Sequence, residues 1–182
     1  MADRKTKGAN VKQLVYTALM TAVIAVLSQI QIPLPGLVPL SLATFGVMMA
    51  GLLLGWKRGA VSAAVYLLLG AVGVPVFAGF KGGVSALLGP TGGYLIGYLP
   101  YAMLAGIPML GSRDGFFARC VSLLLGTLIC YALGTAWFVH QTGRTLYESL
   151  GICVLPFLPG DAAKIILASL LAPRLQKVMK EN

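Results

Sequence analysis

Residues 73–93, GVPVFAGFKGGVSALLGPTGG, constrain the fold more than any other stretch. Seven glycines and two prolines fall within twenty-one residues. Glycine costs about 1 kcal/mol and proline about 3 kcal/mol at each helix-interior position, so a continuous helix is excluded here. Yet the stretch keeps Val74, Val76, Phe77, Phe80, Leu87 and Leu88, side chains that favour burial. A solvated loop is more polar than this. Irregular backbone carrying apolar side chains is tolerated at membrane depth where it packs against protein or lines a cavity. Gly/Pro-interrupted apolar segments also mark substrate sites in transport proteins. Two readings stand: a loop that lines a ligand site, and a re-entrant packing loop with no ligand.

The surrounding sequence puts this loop in a lipid bilayer. Of 182 residues, 58% are hydrophobic and 10% charged, and the mean hydropathy is +0.86; a soluble domain carries about 25% charged residues. The expectation is an all-α integral membrane protein, one domain over residues 1–182. It has six transmembrane helices at about residues 12–30, 40–56, 59–72, 92–110, 116–140 and 160–178. The third run, at about 1.5 Å per residue, spans only about 21 Å of a hydrocarbon core about 30 Å thick. Residues 73–93 are therefore expected to complete the crossing or dip back, as a re-entrant or outward loop between the third and fourth helices. Pro100 is expected to kink the fourth helix. Residues 141–151 read as a more polar connection, followed by 153–159. The basic start runs into an apolar segment too long for a signal peptide, with no small-residue cleavage site after it.

Charge placement orients the chain. Eleven of the fourteen Lys and Arg residues fall in four places. These are the N-terminus (Arg4, Lys5, Lys7, Lys12), the turn after the second run (Lys57, Arg58), the turn after the fourth (Arg113, Arg119) and the C-terminus (Arg174, Lys177, Lys180). Lys81 and Arg144 fall on the opposite side, and Lys164 lies inside the last run. The positive-inside rule then predicts a multi-pass cell-membrane protein with both termini cytoplasmic. The proline loop at 32–39, the glycine stretch and the start of the last helix face outward. The net charge of +9 does not signal nucleic acid, because the cations lie between apolar runs rather than in one patch.

Asp161 and Lys164 are the ionisable pair inside a predicted span. Three residues apart, they share a helix face, and each costs about 2.5–3.5 kcal/mol at the bilayer centre. A structural reading exists: Asp161 as N-cap after Pro159-Gly160, Lys164 snorkelling outward. A functional reading is preferred, because capping gives no reason for a lysine one turn inside an apolar helix. Tyr94, Tyr98 and Tyr101, spaced by four and three, lie on one side of their helix. They suit an interfacial aromatic belt or core packing, and equally the wall of a site for a small polar ring. Ala18 and Ala22 form A-x-x-x-A, while Gly51/Gly55 and Gly93/Gly97 form G-x-x-x-G, spacings that allow close helix approach. Packing within the monomer is the better reading for the glycine pairs. Cys120, Cys130 and Cys153 read as small apolar residues rather than a disulfide framework. No catalytic or metal constellation is evident. His140 is the sole histidine, and Gly79-Phe80-Lys81-Gly82 fails the P-loop spacing.

Gly73-Val74-Pro75-Val76-Phe77, the run from Gly82-Gly83 to Gly89-Pro90-Thr91-Gly92-Gly93-Tyr94, and Asp161-Ala162-Ala163-Lys164 together resemble the BioY family. These are biotin-binding S-components of energy-coupling factor transporters, and the resemblance covers nearly the whole chain. It implies a six-helix, non-enzymatic subunit without a cofactor that captures biotin on the outer side. It also implies docking onto a transmembrane coupling protein with two ATPases, with Ala18 and Ala22 at that contact. The proline loop would act as lid through Pro35, Gly36 and Leu37. Asp161 would accept from the ureido N–H groups and Lys164 would donate to the ureido carbonyl. Phe77, Tyr94 and Tyr98 would wall the bicycle, and backbone N–H groups near Thr91-Gly92 would hold the carboxylate. The sequence departs from the expected pattern at Ala43, where a polar residue is expected; Thr44 is the substitute. Another small vitamin in the same fold, or a non-catalytic membrane scaffold, are the alternatives.

Overall fold

The computed structural model describes residues 2–32, 38–110 and 115–181, with side chains at 11–32, 38–109 and 115–179. The chain is helical: α1 (Ala2–Gln29), α2 (Ala43–Ala71), α3 (Val84–Leu88), α4 (Gly92–Ala105), α5 (Phe116–Thr142), α6 (Leu146–Cys153) and α7 (Leu158–Glu181). A 3-10 turn lies at Ile107–Leu110, and two short strands, β1 (Gln31–Ile32) and β2 (Leu40–Ser41), pair antiparallel. Residues 11–29 of α1, together with α2 and α5, are each long and apolar enough to cross a membrane, and α6 with α7 form a broken pair bent by 51°. Leu14, Leu19, Leu68, Leu124, Leu128 and Leu170 are all exposed. Such a coat is stable against lipid rather than water. This is a multi-pass membrane protein.

α2 is two helices in one. Gly55 breaks it with φ +80 and ψ 171, a conformation glycine reaches without a Cβ clash. A Cβ on Gly59 would lie 2.7 Å from the Gly51 Cα, whereas positions eight apart on a straight helix are about 12 Å apart. The chain therefore doubles back at Gly55, and the runs expected at 40–56 and 59–72 lie in the two arms of α2. The Gly51/Gly55 pair splits into different jobs. Gly51 packs on Ala102 and Ala105 of α4, and Gly55 makes the turn. Gly93 and Gly97 form notches on α4 for α5, against Trp137 and Cys130. These contacts are internal to the monomer. All three cysteines are free.

Hydroxyl groups bind α1 to the second arm of α2. Thr21 Oγ1 donates to the Ser62 carbonyl (3.1 Å), Ser62 Oγ donates to the Thr17 carbonyl (3.0 Å), and Ser28 Oγ lies 2.8 Å from the Tyr66 hydroxyl. In an apolar surrounding such bonds fix which faces meet. Ala18 and Ala22, beside the buried Thr17 and Thr21, are exposed.

Three expectations need correction. The fourth helix ends at Ala105, not near 110, because Gly106 backs tightly onto Gly55 and Trp56; Pro100 lies inside α4 without ending it. The segment read as a polar connection folds into α6. Thr145 Oγ1 accepts from the Glu148 N–H and Glu148 Oε2 accepts from the Thr145 N–H, a capping box that starts the helix. The glycine stretch is not wholly irregular, since it contains α3.

The two ends of the bundle differ. Lys12, Tyr16, Leu53, Arg58, Met109 and Gln176 converge around a depression of about 250 Å³. The stretch of α1 around Lys12, the Gly55 turn, the 3-10 turn and the end of α7 thus share one end. The β1–β2 clip, the glycine stretch and the start of α7 gather at the other, around the site described next.

Candidate binding site

α7 begins at Leu158, and the Asp161 N–H already donates to the Phe157 carbonyl (2.8 Å). Asp161 is therefore not the N-cap. Its side chain turns into the bundle, 5% exposed, and Lys164 is 7% exposed, so the lysine does not snorkel. Lys164 Nζ donates to Asp161 Oδ1 (2.8 Å), the Ser41 carbonyl (2.8 Å) and Thr44 Oγ1 (3.0 Å). An ammonium has three donors, and all three are used. Asp161 Oδ2 accepts from the Tyr131 hydroxyl (2.6 Å). A carboxylate offers about four acceptor sites, so Asp161 retains capacity for further N–H donors while Lys164 has none to spare.

The lysine also holds the stem of the proline loop. Ser41 lies in β2, paired with Gln31 of β1, and its carbonyl is a Lys164 acceptor. The expected lid residues Pro35, Gly36 and Leu37 lie outside the described residues. Ala43 is buried in the core, 2% exposed, and Thr44 supplies the polar contact to the pair.

Two chambers meet here. The inner one, about 50 Å³, is lined by Thr44, Tyr98, Tyr101, Tyr131, Asp161 and Lys164 among others. At this size it has room for a few water molecules at most. The outer one, about 390 Å³, is lined by Phe77, Lys81, Ser85, Thr91, Tyr94 and Tyr98 among others. Val38, Pro39, Ser41, Tyr94 and Tyr98 line both and form the partition.

The tyrosine face lines the inner chamber and is also packed. Tyr101 bonds Thr127 Oγ1 (2.7 Å), with its ring in a notch at Gly126. The Tyr94 hydroxyl donates to the Cys153 carbonyl (3.2 Å), with its ring in a notch at Gly134. Phe77 presents to the outer chamber, but most of its ring is buried against Gly70 and edge-on to Tyr66 (5.4 Å). The glycine stretch is held from two sides. Gln29 of α1 bonds its first half, while Trp137 Nε1 and Gln141 Nε2 of α5 donate to the Gly89 (2.9 Å) and Leu88 (2.6 Å) carbonyls.

Thr91 lines the outer chamber, but Gly92 does not. The Gly92 N–H donates to the Gly89 carbonyl (2.9 Å), and its α-carbon faces the Leu87 carbonyl and Trp137. The expected carboxylate contact at Gly92 is thereby closed off. Tyr131, Ser41 and Lys81 are site residues that the sequence reading did not assign. Tyr131 had a signal: Thr127, Tyr131 and Thr135 recur every four residues in an apolar run and meet Tyr101, Asp161 and Tyr94. Ser41 had none, because it acts through its backbone.

Residues 2–181 match the BioY family. A biotin transporter BioY of Thermotoga maritima is 38% identical over 174 residues, covering 94% of this chain and 99% of the relative. A probable biotin transporter BioY of Pyrococcus horikoshii is 41% identical over 165 residues, covering 91% and 96%. Among solved structures, the S-component for biotin from an ECF-type ABC transporter superposes with a TM-score of 0.87 at 37% identity, covering 93% of each chain. Matched over residues 2–181 by the family and over more than nine-tenths of their length by relatives close to 40% identical, the chain belongs to the BioY family.

Proposed function

We propose that this protein is the biotin-binding subunit of a vitamin uptake transporter, capturing biotin at the outer face and passing it inward through an ATP-driven partner. The observation that carries this reading is the buried Asp161–Lys164 pair, whose carboxylate keeps acceptor sites free. The ureido group has two N–H donors and one carbonyl. Its N–H groups match the spare sites of Asp161. Its carbonyl needs a Lys164 proton already given to Ser41 or Thr44, so binding requires exchange of one of these bonds. The inner chamber is also too small for a bicycle. Entry therefore displaces the partition, with the proline loop as lid and Phe77, Tyr94, Tyr98 and Thr91 as walls.

The chain crosses the bilayer six times in this reading: α1, the two arms of α2, α4, α5 and α7. Both termini lie in the cytoplasm of a cell-membrane protein, because the cation-rich connections share one end. Titration with biotin tests both points. Purified protein in detergent should bind biotin and desthiobiotin, which keeps the ureido ring. Right-side-out vesicles should bind external biotin and inside-out vesicles should not. No binding of either compound, with another vitamin retained by mass spectrometry, would overturn the assignment.

The partner in this reading is a transmembrane coupling protein carrying two ATPases, docking on the exposed Ala18/Ala22 face of α1. Ala22→Trp is expected to leave biotin affinity within about twofold, since exposed sites away from a ligand contribute little. Co-purification with the energising module should fall tenfold or more, because a bulky ring prevents close helix approach. Loss of biotin binding by the isolated variant would make this face internal packing instead.

A further inference from the structure

The end of the bundle opposite the two chambers carries the depression of about 250 Å³ between α1, the Gly55 turn, the 3-10 turn and α7. Lys12 of α1 and Arg58 of α2 both line it, and no acidic residue is among its described lining residues. Neither cation has an ion-pair partner among the described residues. Two like charges brought to one cavity without a counter-charge favour an anion there.

The walls are held in place. Gln176 Nε2 donates to the Leu52 carbonyl (2.7 Å), tying α7 to the first arm of α2 beside the Gly55 turn. The Lys12 ammonium lies 5.8 Å from the centroid of the Tyr16 ring, a cation–π contact with another lining residue. Arg58 and its neighbour Lys57 are divided: Lys57 lies over the Trp56 ring (5.1 Å) and does not line the depression, while Arg58 does.

The rest of the lining chooses between anions. Leu53, Met109 and Met179 share the cavity with the two cations. A small hydrated anion gains nothing from such walls, whereas a phosphodiester joined to a glycerol and acyl chains gains from both. Val11, Leu14 and Val15 are exposed on the stretch of α1 that carries Lys12, apolar surface for acyl chains beside the cavity. In the orientation proposed above this end faces the cytoplasm, whose leaflet is the one rich in anionic lipid.

We propose that this depression binds the phosphate headgroup of an anionic phospholipid. Arg58 offers a planar fork to the phosphate oxygens and Lys12 a point charge, and the apolar walls take the glycerol end.

The test is native mass spectrometry of the full chain in detergent, with phosphatidylglycerol or phosphatidylcholine of the same acyl chains added. Wild type should retain phosphatidylglycerol about tenfold better. Lys12→Met and Arg58→Met should each lower that retention about three- to fivefold, the scale of one cation at a membrane surface, and leave phosphatidylcholine unchanged. Lys57→Met makes the same charge change one residue away and should stay within about twofold of wild type. Equal losses from Lys57→Met and Arg58→Met would reduce the effect to diffuse attraction and overturn the site. Glycerol 3-phosphate at the lipid's concentration should not displace the lipid; displacement would make this a site for soluble phosphates and overturn the lipid assignment. Unchanged lipid retention in both lining variants, with weaker co-purification of the energising module, would make the depression a protein-docking surface instead. All three cations are exposed, so the variants should melt as wild type does. None of these readouts uses biotin, so failure of the biotin reading would leave this test intact.

Discussion

Lys164→Met and Asp161→Asn should each lower biotin affinity ten- to a hundredfold or more, by calorimetric titration in detergent. Each leaves polar groups of ligand and protein buried and unpaired, which costs about 1–3 kcal/mol per group and more when charge is involved. The two variants should differ in stability. Lys164→Met leaves a buried carboxylate with the Tyr131 hydroxyl as its remaining partner, and an uncompensated buried charge costs about 3–5 kcal/mol. Asp161→Asn leaves Lys164 still bonded to Ser41 and Thr44, so its melting temperature should fall less. The double variant removes both charges and should recover melting temperature without recovering biotin binding. That split separates ligand recognition from structural tying, which pairwise coupling alone would confound. If both single variants bind as wild type does, the pair only fastens α7 to β2, and the site must be sought among the tyrosines and the glycine stretch.

The second large effect comes from neighbours in the GPTGGY run that do opposite things. Gly92→Ala would put a methyl group into the Leu87 carbonyl and 3.1 Å from Trp137 Nε1. That indole holds the Gly89 carbonyl, so it cannot move without breaking a bond. Overpacking of this kind costs about 1–3 kcal/mol or more, a fall of roughly 3–10 °C in melting temperature for a chain of this size. Thr91→Val is nearly isosteric. The Thr91 hydroxyl makes no cap bond and lines the outer chamber, so this variant should melt as wild type and weaken biotin only modestly, by about two- to fivefold. A Gly92→Ala protein with unchanged melting and lost affinity would restore Gly92 as a ligand contact.

Much of the scaffold was legible because bilayer physics is unforgiving. Apolar runs, cations concentrated in one set of connections and a Gly/Pro-dense break follow directly from the need to satisfy backbone and exclude charge in hydrocarbon. The same logic marked Asp161 and Lys164, whose cost in a span demands a partner. Ala18 and Ala22 lie exposed, while Gly51, Gly93 and Gly97 pack inside the monomer. Where the reading failed, a local signal was outweighed or overlooked. Thr145-x-x-Glu148 is a capping box in plain view, yet the segment read as loop because its composition is polar. The 92–110 run looked continuous, but Gly106 must yield to the Gly55 turn, a contact 51 residues away in sequence.

The amino-acid order by itself determined that the chain is membrane-embedded and which two ionisable residues need explaining. Each follows from composition, period and the cost of charge, all local quantities. Only the tertiary structure decided who answers that cost. Lys164 finds a backbone carbonyl 123 positions away on β2, and Asp161 finds Tyr131 from α5. Gln29 of α1 holds the glycine stretch 51 positions on. Carbonyls and amides are present at every residue, so no pattern of side chains announces which one a buried charge will meet; packing alone selects it.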